Sequence, residues 1–302
     1  MASVLLIGGL GYIGSRLYPY LKALGHEVDN TWDLGFYSPY KLQQFDYKNL
    51  PPSFLSNYDV VILLAGHSSI AMCEADPTGS FHNNVINFYS LLEKIRPDQD
   101  FFYASSGANL SGAKGSGEDS PLQEAMCHYD MHKQTIERIA RLSGKKTYGL
   151  RFGTVAGLSR NPRLESLVNS MYVDALDQGQ VRLSNGSKYR SVLGLPDLCK
   201  AVGRMLEKKG PPGVYNMASV VLPMSEVAAR IVSLTGAELV TLPPTDLCYD
   251  FRICSNKFEE TYDFQFEDTI ESIVEDLKGL PLSLRDKTTL NRSTNVVQYK
   301  RN

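Results

Sequence analysis

A tyrosine four residues ahead of a lysine on a helix puts a phenol and an ammonium on one face. The ammonium favours the phenolate and draws the phenol from an acidity near about 10 toward neutrality. Such a phenol can take a proton from a carbinol or return one to a carbonyl. The chain carries the spacing three times, as Tyr18/Lys22, Tyr37/Lys41 and Tyr129/Lys133. Spacing does not choose among them, but position does. The first falls inside a helix that follows a glycine-rich turn, and the second precedes a sheet edge. Only Tyr129/Lys133 opens a helix, Tyr129 to Leu142, that comes after a strand and the Ser/Gly-rich loop Tyr103-Ala104-Ser105-Ser106-Gly107.

A second constellation is Gly8-Gly9-Leu10-Gly11-Tyr12-Ile13-Gly14, directly after the apolar run Val4 to Ile7 and at the head of an amphipathic stretch. In that context a G-x-G-x-x-G pattern predicts a dinucleotide site. The first glycines permit the tight turn, Gly11 lets the backbone approach a pyrophosphate, and Gly14 lets helix and strand pack closely. The helix start adds N–H groups and partial positive charge. An acidic residue about 20 positions on accepts hydrogen bonds from the adenosine ribose. Asp33 fits that place, and Asp29 is a weaker candidate. The Asp33 carboxylate repels a 2'-phosphate and favours NAD over NADP, whereas Arg16 in the first helix is the residue that would serve a phosphate instead.

The elements that must position these residues follow a βαβα rhythm: Val4 to Ile7, Ile13 to Leu24, Asp59 to Leu64, Val85 to Ile95, Phe101 to Ala104, with Lys146 to Leu150 a further buried strand. Ile13, Leu17, Tyr20, Leu21 and Leu24 form one apolar helix face and Gly25 a C-terminal stop, while Pro19 predicts a bend. The pattern is that of an α/β, Rossmann-type doubly wound parallel sheet with a smaller C-terminal substrate-binding lobe. Residues 1–157 are expected to form the dinucleotide-binding domain and 158–280 mainly the substrate lobe, with some strands returning to the first sheet. Residues 281–302 form a polar tail.

With 31 basic against 33 acidic residues, the net charge is -2, which gives no footprint for nucleic acid or a membrane surface and leaves a small-molecule substrate. Five cysteines without C-x-x-C spacing argue against a disulfide framework and a zinc site, and point to a reducing cytoplasm. The apolar start breaks at Gly8, too soon for a signal or a span. His128 and His132 are four apart but lack acidic or cysteine partners at ligand spacing, so no metal is expected. Ser120-Pro121-Leu122-Gln123 has the form of a capping box.

Taken in order, the glycine motif, Asp59-Val-Val-Ile-Leu-Leu-Ala65-Gly66, Asn83-Asn84-Val85, Tyr103-Ala-Ser-Ser106, Tyr129-x-x-x-Lys133 and Leu150-Arg151-Phe152-Gly153-Thr154-Val155 resemble the extended short-chain dehydrogenase/reductase family of nucleotide-sugar epimerases and dehydratases. Tyr189-Arg190-Ser191-Val192, Pro196-Asp197 and Gly213-Val214-Tyr215-Asn216 extend the likeness to about residue 278. The resemblance implies that Gly8, Gly11, Tyr12, Ile13, Gly14 and Asp33 hold NAD, with Asp46 and Tyr47 near the adenine and Ala65 and Gly66 on the nicotinamide side. It implies that Asn84 supports the site, Tyr129 is the acid/base, Lys133 binds nicotinamide ribose and tunes the tyrosine, and Arg190 meets the diphosphate of a nucleotide sugar. His67, next to Ala65-Gly66, is placed over the substrate cleft. Helices of the cofactor domain commonly pair as homodimers in this family.

Three positions depart from the pattern. Counting back from Gly112, the family's catalytic Ser or Thr falls on Gly107, which leaves Ser106 as the nearest hydroxyl; glycine's conformational freedom is expected to let Ser106 turn into the cleft. Thr154 stands where an asparagine usually meets the substrate. No second diphosphate-binding arginine occurs near Pro243-Pro244, and Arg252 is the candidate replacement. An epimerase, dehydratase or reductase acting on a nucleotide sugar is the leading expectation. A reductase of a small non-nucleotide carbonyl, which the missing arginine suits, and a non-catalytic NAD(P) sensor or scaffold, which the missing serine suits, remain open.

Overall fold

Val4 and Leu6 point to one face of the first strand, Leu5 and Ile7 to the other, and all four are fully buried. Successive side chains of a strand alternate between faces, so a run apolar at every position belongs inside a sheet covered on both sides. The protein is described by a computed structural model for residues 1–31, 47–110, 115–245 and 248–280. Asp33, Asp46, Tyr37/Lys41 and the tail lie outside the described residues.

The first half contributes β1 (Ser3–Ile7), β2 (Glu27–Thr31), β3 (Val60–Leu63), β4 (Asp100–Ser106) and β5 (Thr147–Phe152). The second contributes β6 (Thr154–Ala156), β7 (Gln180–Leu183), β8 (Tyr189–Gly194), β9 (Gly213–Met217), β10 (Val220–Pro223) and β11 (Glu238–Thr241). A parallel six-stranded sheet runs β2-β1-β3-β4-β5-β9, so β9 returns from the second half to the first sheet. Leu17 and Leu21 of helix Gly14–Ala23, with Leu198, Val202 and Met205 of helix Leu195–Glu207, cover one face. Phe88, Leu91 and Leu92 of helix Asn87–Lys94, with Ile136 and Ala140 of helix His128–Leu142, cover the other. The sheet is doubly wound, and strand order reverses between β1 and β3, where a crevice opens at the carboxyl ends.

The remaining strands form a β10-β8-β6 sheet and a β11-β7 pair. Their core is separate: Met171 and Tyr172, Val227 and Ile231, and Ile273 and Val274 come from three helices, Leu167–Gln178, Met224–Thr235 and Ile270–Leu277.

Helix Gly14–Ala23 continues through Pro19 and stops at Gly25, whose φ is +85°, with the His26 N–H bonded back to Leu21 O at 3.2 Å. The stretch expected as one helix from Val85 is instead a π-turn, His82–Ile86, leading into Asn87–Lys94. The wider turn re-aims the side chains at 83 and 84, and such turns gather at functional sites. The capping-box form at Ser120 starts no helix: residues 121–126 are irregular, and the next helix begins at His128 after Cys127, without a side-chain cap.

Candidate active site

At the carboxyl end of β1 the backbone turns at Gly8, φ +91°, and a side chain there would bring its Cβ within 2.5 Å of Ala65 N. A Cβ on Gly14 would meet Gly8 O at 2.2 Å. Both glycines are thus required by backbone approach, one against the end of β3 and one against its own turn. The Gly11 N–H closes that turn onto Gly8 O at 3.1 Å. Ile13, at the head of the helix, provides no capping side chain, which leaves the N-terminal turn able to face an anion. Tyr12 points away from the turn: its hydroxyl donates to Gly157 O at 2.8 Å and accepts from Asn169 Nδ2 at 3.2 Å.

The facing rim is Ala65-Gly66-His67. Asn84 Oδ1 accepts the His67 N–H at 2.8 Å and Asn84 Nδ2 donates to His67 O at 2.9 Å, so one amide clamps both sides of one residue. Tyr47 is buried, and its hydroxyl donates to Asn83 O at 2.8 Å. Asn83 Nδ2 lies 3.2 Å from His67 Nδ1. His67 is half-buried, and burial holds its imidazole below the usual histidine range.

Tyr129, Lys133 and Ser106 converge at the end of β4. The helix bearing the first two is fastened to the sheet by a buried ion pair. Arg151 Nε and Nη2 reach the two Glu137 oxygens at 2.9 and 2.8 Å, and Ser105 Oγ donates to the same carboxylate. Ser106, pointing the other way from Ser105 as strand alternation requires, lies beside the Tyr129 phenol and favours its ionised form, and it accepts the Ala108 N–H at 3.2 Å. Lys133 Nζ donates to Ala104 O at 2.8 Å and lies 5.7 Å from the Tyr129 ring centre.

Gly107 needs no unusual backbone, since its φ is not positive. Its surroundings are close: a Cβ would lie 3.0 Å from Ile253 Cδ1, 3.1 Å from Phe152 O and 3.2 Å from Phe251, so those neighbours would have to give way by a few tenths of an ångström. This corrects the expectation that glycine's freedom turns Ser106 toward the cleft; packing crowds a side chain at 107, and strand alternation aims Ser106.

Electrostatics also depart from expectation. Crowding by protein raises the Tyr129 phenol above its ordinary range, opposed by the charge of Arg163 and by the Ser106 hydroxyl. Desolvation lowers Lys133 to about 8. The cation acting most strongly on Tyr129 is therefore Arg163, which the sequence reading did not single out. It sits in the 157–166 segment that covers the glycine turn, where Asn161 Nδ2 donates to Leu10 O at 2.9 Å. From there Arg163 reaches across to Ser68 O at 3.2 Å and pairs with Glu165 at 2.9 Å.

The other tyrosine–lysine pair in the described residues makes a similar contact, Lys22 Nζ to Tyr18 at 3.4 Å, on the exposed face of its helix. Arg16 is engaged by Asp276 Oδ2 and Leu158 O, each at 2.6 Å, and so is not open to a 2'-phosphate. Asp29 accepts from the Tyr58 hydroxyl at 2.6 Å. His128 pairs with Glu74 at 2.9 Å, and the five cysteines are unpaired.

A family model described as the NAD dependent epimerase/dehydratase family matches residues 4–218, more than half of the chain. The chain belongs to that family.

Relatives of this epimerase/dehydratase-family enzyme include the spore coat polysaccharide biosynthesis protein SpsK of Bacillus subtilis, 26% identical over 81% of this chain and 83% of its own. Protein CapI of Staphylococcus aureus is 25% identical over 69% and 70%. Among solved structures, the NAD-dependent NDP-hexosamine 5,6-dehydratase TunA superposes with TM-score 0.82 at 20% identity, covering 94% of this chain and 100% of TunA. The Bacillus cereus UDP-glucuronic acid 4-epimerase, solved with UDP-glucuronic acid and NAD, gives 0.78 at 17%, covering 91% and 97%. Family membership makes the chain an NAD-dependent enzyme of the epimerase/dehydratase type.

Within the family enzyme's second lobe, Arg190 lies on β8 with Nη1 donating to Tyr189 O at 3.1 Å and Nη2 3.4 Å from Cys248 Sγ. Arg252 stacks 3.5 Å from the centre of the neighbouring Tyr189 ring, and its Nε is buried without a hydrogen-bond partner. Thr154 opens β6, half-buried and in register with Val192 of β8. Among the described residues no helix is long and apolar enough to cross a membrane, and no three His, Cys, Asp or Glu side chains are grouped to hold a metal.

Proposed function

We propose that the chain oxidises a hydroxyl on a nucleotide-linked sugar, the transient ketone then being re-reduced in an epimerisation, dehydrated or released. The observation that carries this reading is the convergence of Ser106, Tyr129 and Lys133 at the end of β4, across the crevice from the Gly8–Gly14 turn. The glycine turn and uncapped helix start suit the cofactor's pyrophosphate, and the clamped Gly66–His67 rim suits its nicotinamide end. When bound, NAD supplies a hydride acceptor at its nicotinamide ring. Tyr129 as phenolate takes the carbinol proton, and Ser106 hydrogen-bonds the same oxygen as its charge develops. Lys133 holds the nicotinamide ribose, while Arg163 favours negative charge on Tyr129.

Arg190 and Arg252 are assigned to the substrate diphosphate, which suits the fork of a guanidinium. Arg252 thereby replaces the arginine missing near Pro243-Pro244. His67 and Thr154 are assigned to the sugar. Residues after 157 form the substrate lobe, apart from β9, helix Leu195–Glu207 and helix Asn256–Tyr262, whose Phe258 and Tyr262 pack into the core of the first sheet. Exposed Ile86, Tyr89, Met131 and Leu142 lie in or beside the two helices on one face of the sheet, a face suited to a homodimer. Net charge and unpaired cysteines fit the cytoplasm.

Calorimetry with NAD, NADH, NADP and NADPH, followed by thermal shift with UDP-glucose, UDP-glucuronic acid and dTDP-glucose, tests the reading. NAD is expected to bind more tightly than NADP, since Arg16 is occupied. A nucleotide sugar at 100 times its Kd adds about 2.7 kcal/mol to stability. Failure of every cofactor form to bind would overturn the reading; turnover of simple aldehydes with no response to any nucleotide sugar would replace it with the carbonyl-reductase alternative.

A further inference from the structure

His132, the residue before the candidate catalytic lysine, is completely buried. Its Nδ1 lies 3.4 Å from Asn84 Nδ2. The roles in this contact follow from counting donors and acceptors. Asn84 Oδ1 is fixed as oxygen because it accepts the His67 N–H at 2.8 Å, and Nδ2 is fixed as nitrogen because it donates to His67 O at 2.9 Å. An amide nitrogen only donates, and its second hydrogen has two neighbours, Cys73 Sγ at 3.9 Å and His132 Nδ1 at 3.4 Å; sulfur is a weak acceptor, so the closer imidazole nitrogen is the one that accepts. The imidazole is then neutral with its proton on Nε2. That nitrogen is buried without a hydrogen-bond partner, and the Phe81 ring packs beside the imidazole with centres 5.7 Å apart.

An imperfectly satisfied buried nitrogen is costly, and a smaller apolar side chain would avoid it. What the imidazole provides is a nitrogen acceptor for the Asn84 amide, beside its two bonds to His67 and the weak one to Cys73 Sγ. With it the amide cannot flip or rotate, and the rim it clamps cannot relax. The fit there is tight: Gly66 has φ +154°, and a Cβ on it would lie 2.7 Å from Asn84 Oδ1. One helix thus carries Tyr129 and Lys133 toward the crevice and His132 toward the π-turn that holds Asn84.

We infer that His132 is a positioning residue for the cofactor: through Asn84 it fixes the Gly66–His67 rim at a set distance from the helix that bears Tyr129 and Lys133. The inference rests on the reading that NAD lies along that rim.

NAD affinity measured by calorimetry on wild type, His132→Ala, His132→Gln, Asn84→Ala and the double Ala variant tests it. His132→Ala is expected to weaken NAD roughly tenfold, as loss of a buried hydrogen bond would. His132→Gln, which keeps an acceptor, recovers most of that loss. In the Asn84→Ala background, His132→Ala adds less than about twofold, because the two act in series. A merely structural role predicts independent losses that multiply. Nitrogen-15 NMR of the wild-type imidazole supplies a readout that needs neither NAD nor a folded Ala variant: Nδ1 is expected unprotonated at pH 7 and Nε2 protonated. An Nδ1-protonated ring, wild-type affinity in His132→Ala, or multiplying losses would each overturn the inference. Absence of NAD binding in wild type would remove the functional reading and this inference together, whereas binding that is indifferent to residue 132 removes this inference alone.

Discussion

The Lys133 ammonium stands 5.7 Å from the centre of the Tyr129 ring and gives its hydrogen bond to Ala104 O. The pair shares a helix face, but the lysine is held by the end of β4. Desolvation lowers its ammonium to about 8, still mostly charged near pH 7. Lys133 is therefore suited to binding ribose as much as to tuning the phenol.

Tyr129→Phe is expected to reduce turnover by 10² to 10⁴, the usual contribution of a positioned acid/base, with NAD affinity retained. Lys133→Ala should weaken both. Steady-state kinetics beside calorimetry separates the two, and Tyr18→Phe is the control, because its lysine contact is at the surface. Equal damage from Tyr18→Phe in a folded protein would show the wrong pair was chosen.

Ser106→Ala should slow turnover on the order of 10², the typical loss of one donor to a developing oxyanion. Gly107→Ser should not improve the enzyme and should destabilise it by about 1 to 3 kcal/mol, as overpacking does, because its Cβ meets Ile253, Phe152 O and Phe251. Rates and denaturant midpoints of the two variants decide the matter; a faster, equally stable Gly107→Ser would contradict it.

Removing Arg163 removes the cation that most favours the Tyr129 phenolate. In Arg163→Gln the ionisation of Tyr129 moves to higher pH, and turnover near pH 7 falls about tenfold. Subtracting the 295 nm titration of a Tyr129→Phe partner from each background isolates the one phenol. Arg163→Lys should sit between the two, and an unmoved midpoint in Arg163→Gln would remove Arg163 from the site.

His132 is held low, at about 4, first by burial and then by the charges of His128, Lys133 and His67, with Glu74 opposing. Between about 6.5, where an unfolded histidine titrates, and about 4, the unfolded chain binds more protons at this position than the folded one. Stability contributed by keeping this ring neutral is thus complete above that window and is lost as pH falls through it. The melting temperature should drop more steeply from pH 6.5 to 4 in wild type than in His132→Gln. Parallel curves would place the acid sensitivity elsewhere.

Glu137→Ala leaves the Arg151 guanidinium buried without its carboxylate. A loss of about 3 to 5 kcal/mol is expected, as for other broken buried pairs, measured by chemical denaturation. A loss below about 1 kcal/mol would mean that the pair does not fasten the catalytic helix.

Local pattern alone determined the sheet and the two halves of the crevice. Val4 to Ile7 is apolar at every position because both faces of β1 are covered, and Gly8 and Gly14 are glycines because backbone lies 2.5 and 2.2 Å from where their Cβ atoms would be. Tyr129 and Lys133 differ from the other two tyrosine–lysine pairs in following a strand and a Ser/Gly-rich loop, an order that is itself sequence. The directions and partners of side chains were decided only by tertiary structure. Ser106 lies beside Tyr129, while segments from near residues 152 and 251 to 253 crowd the space at 107. Arg16 is closed to a phosphate by Asp276, 260 positions away. Arg163 reaches Ser68 across 95 positions, and His132 reaches Asn84 across 48. Helix and strand periods arise from bonds between near neighbours and repeat along the chain, whereas such contacts exist only once packing has fixed which distant segments meet, so no spacing in the sequence marks them.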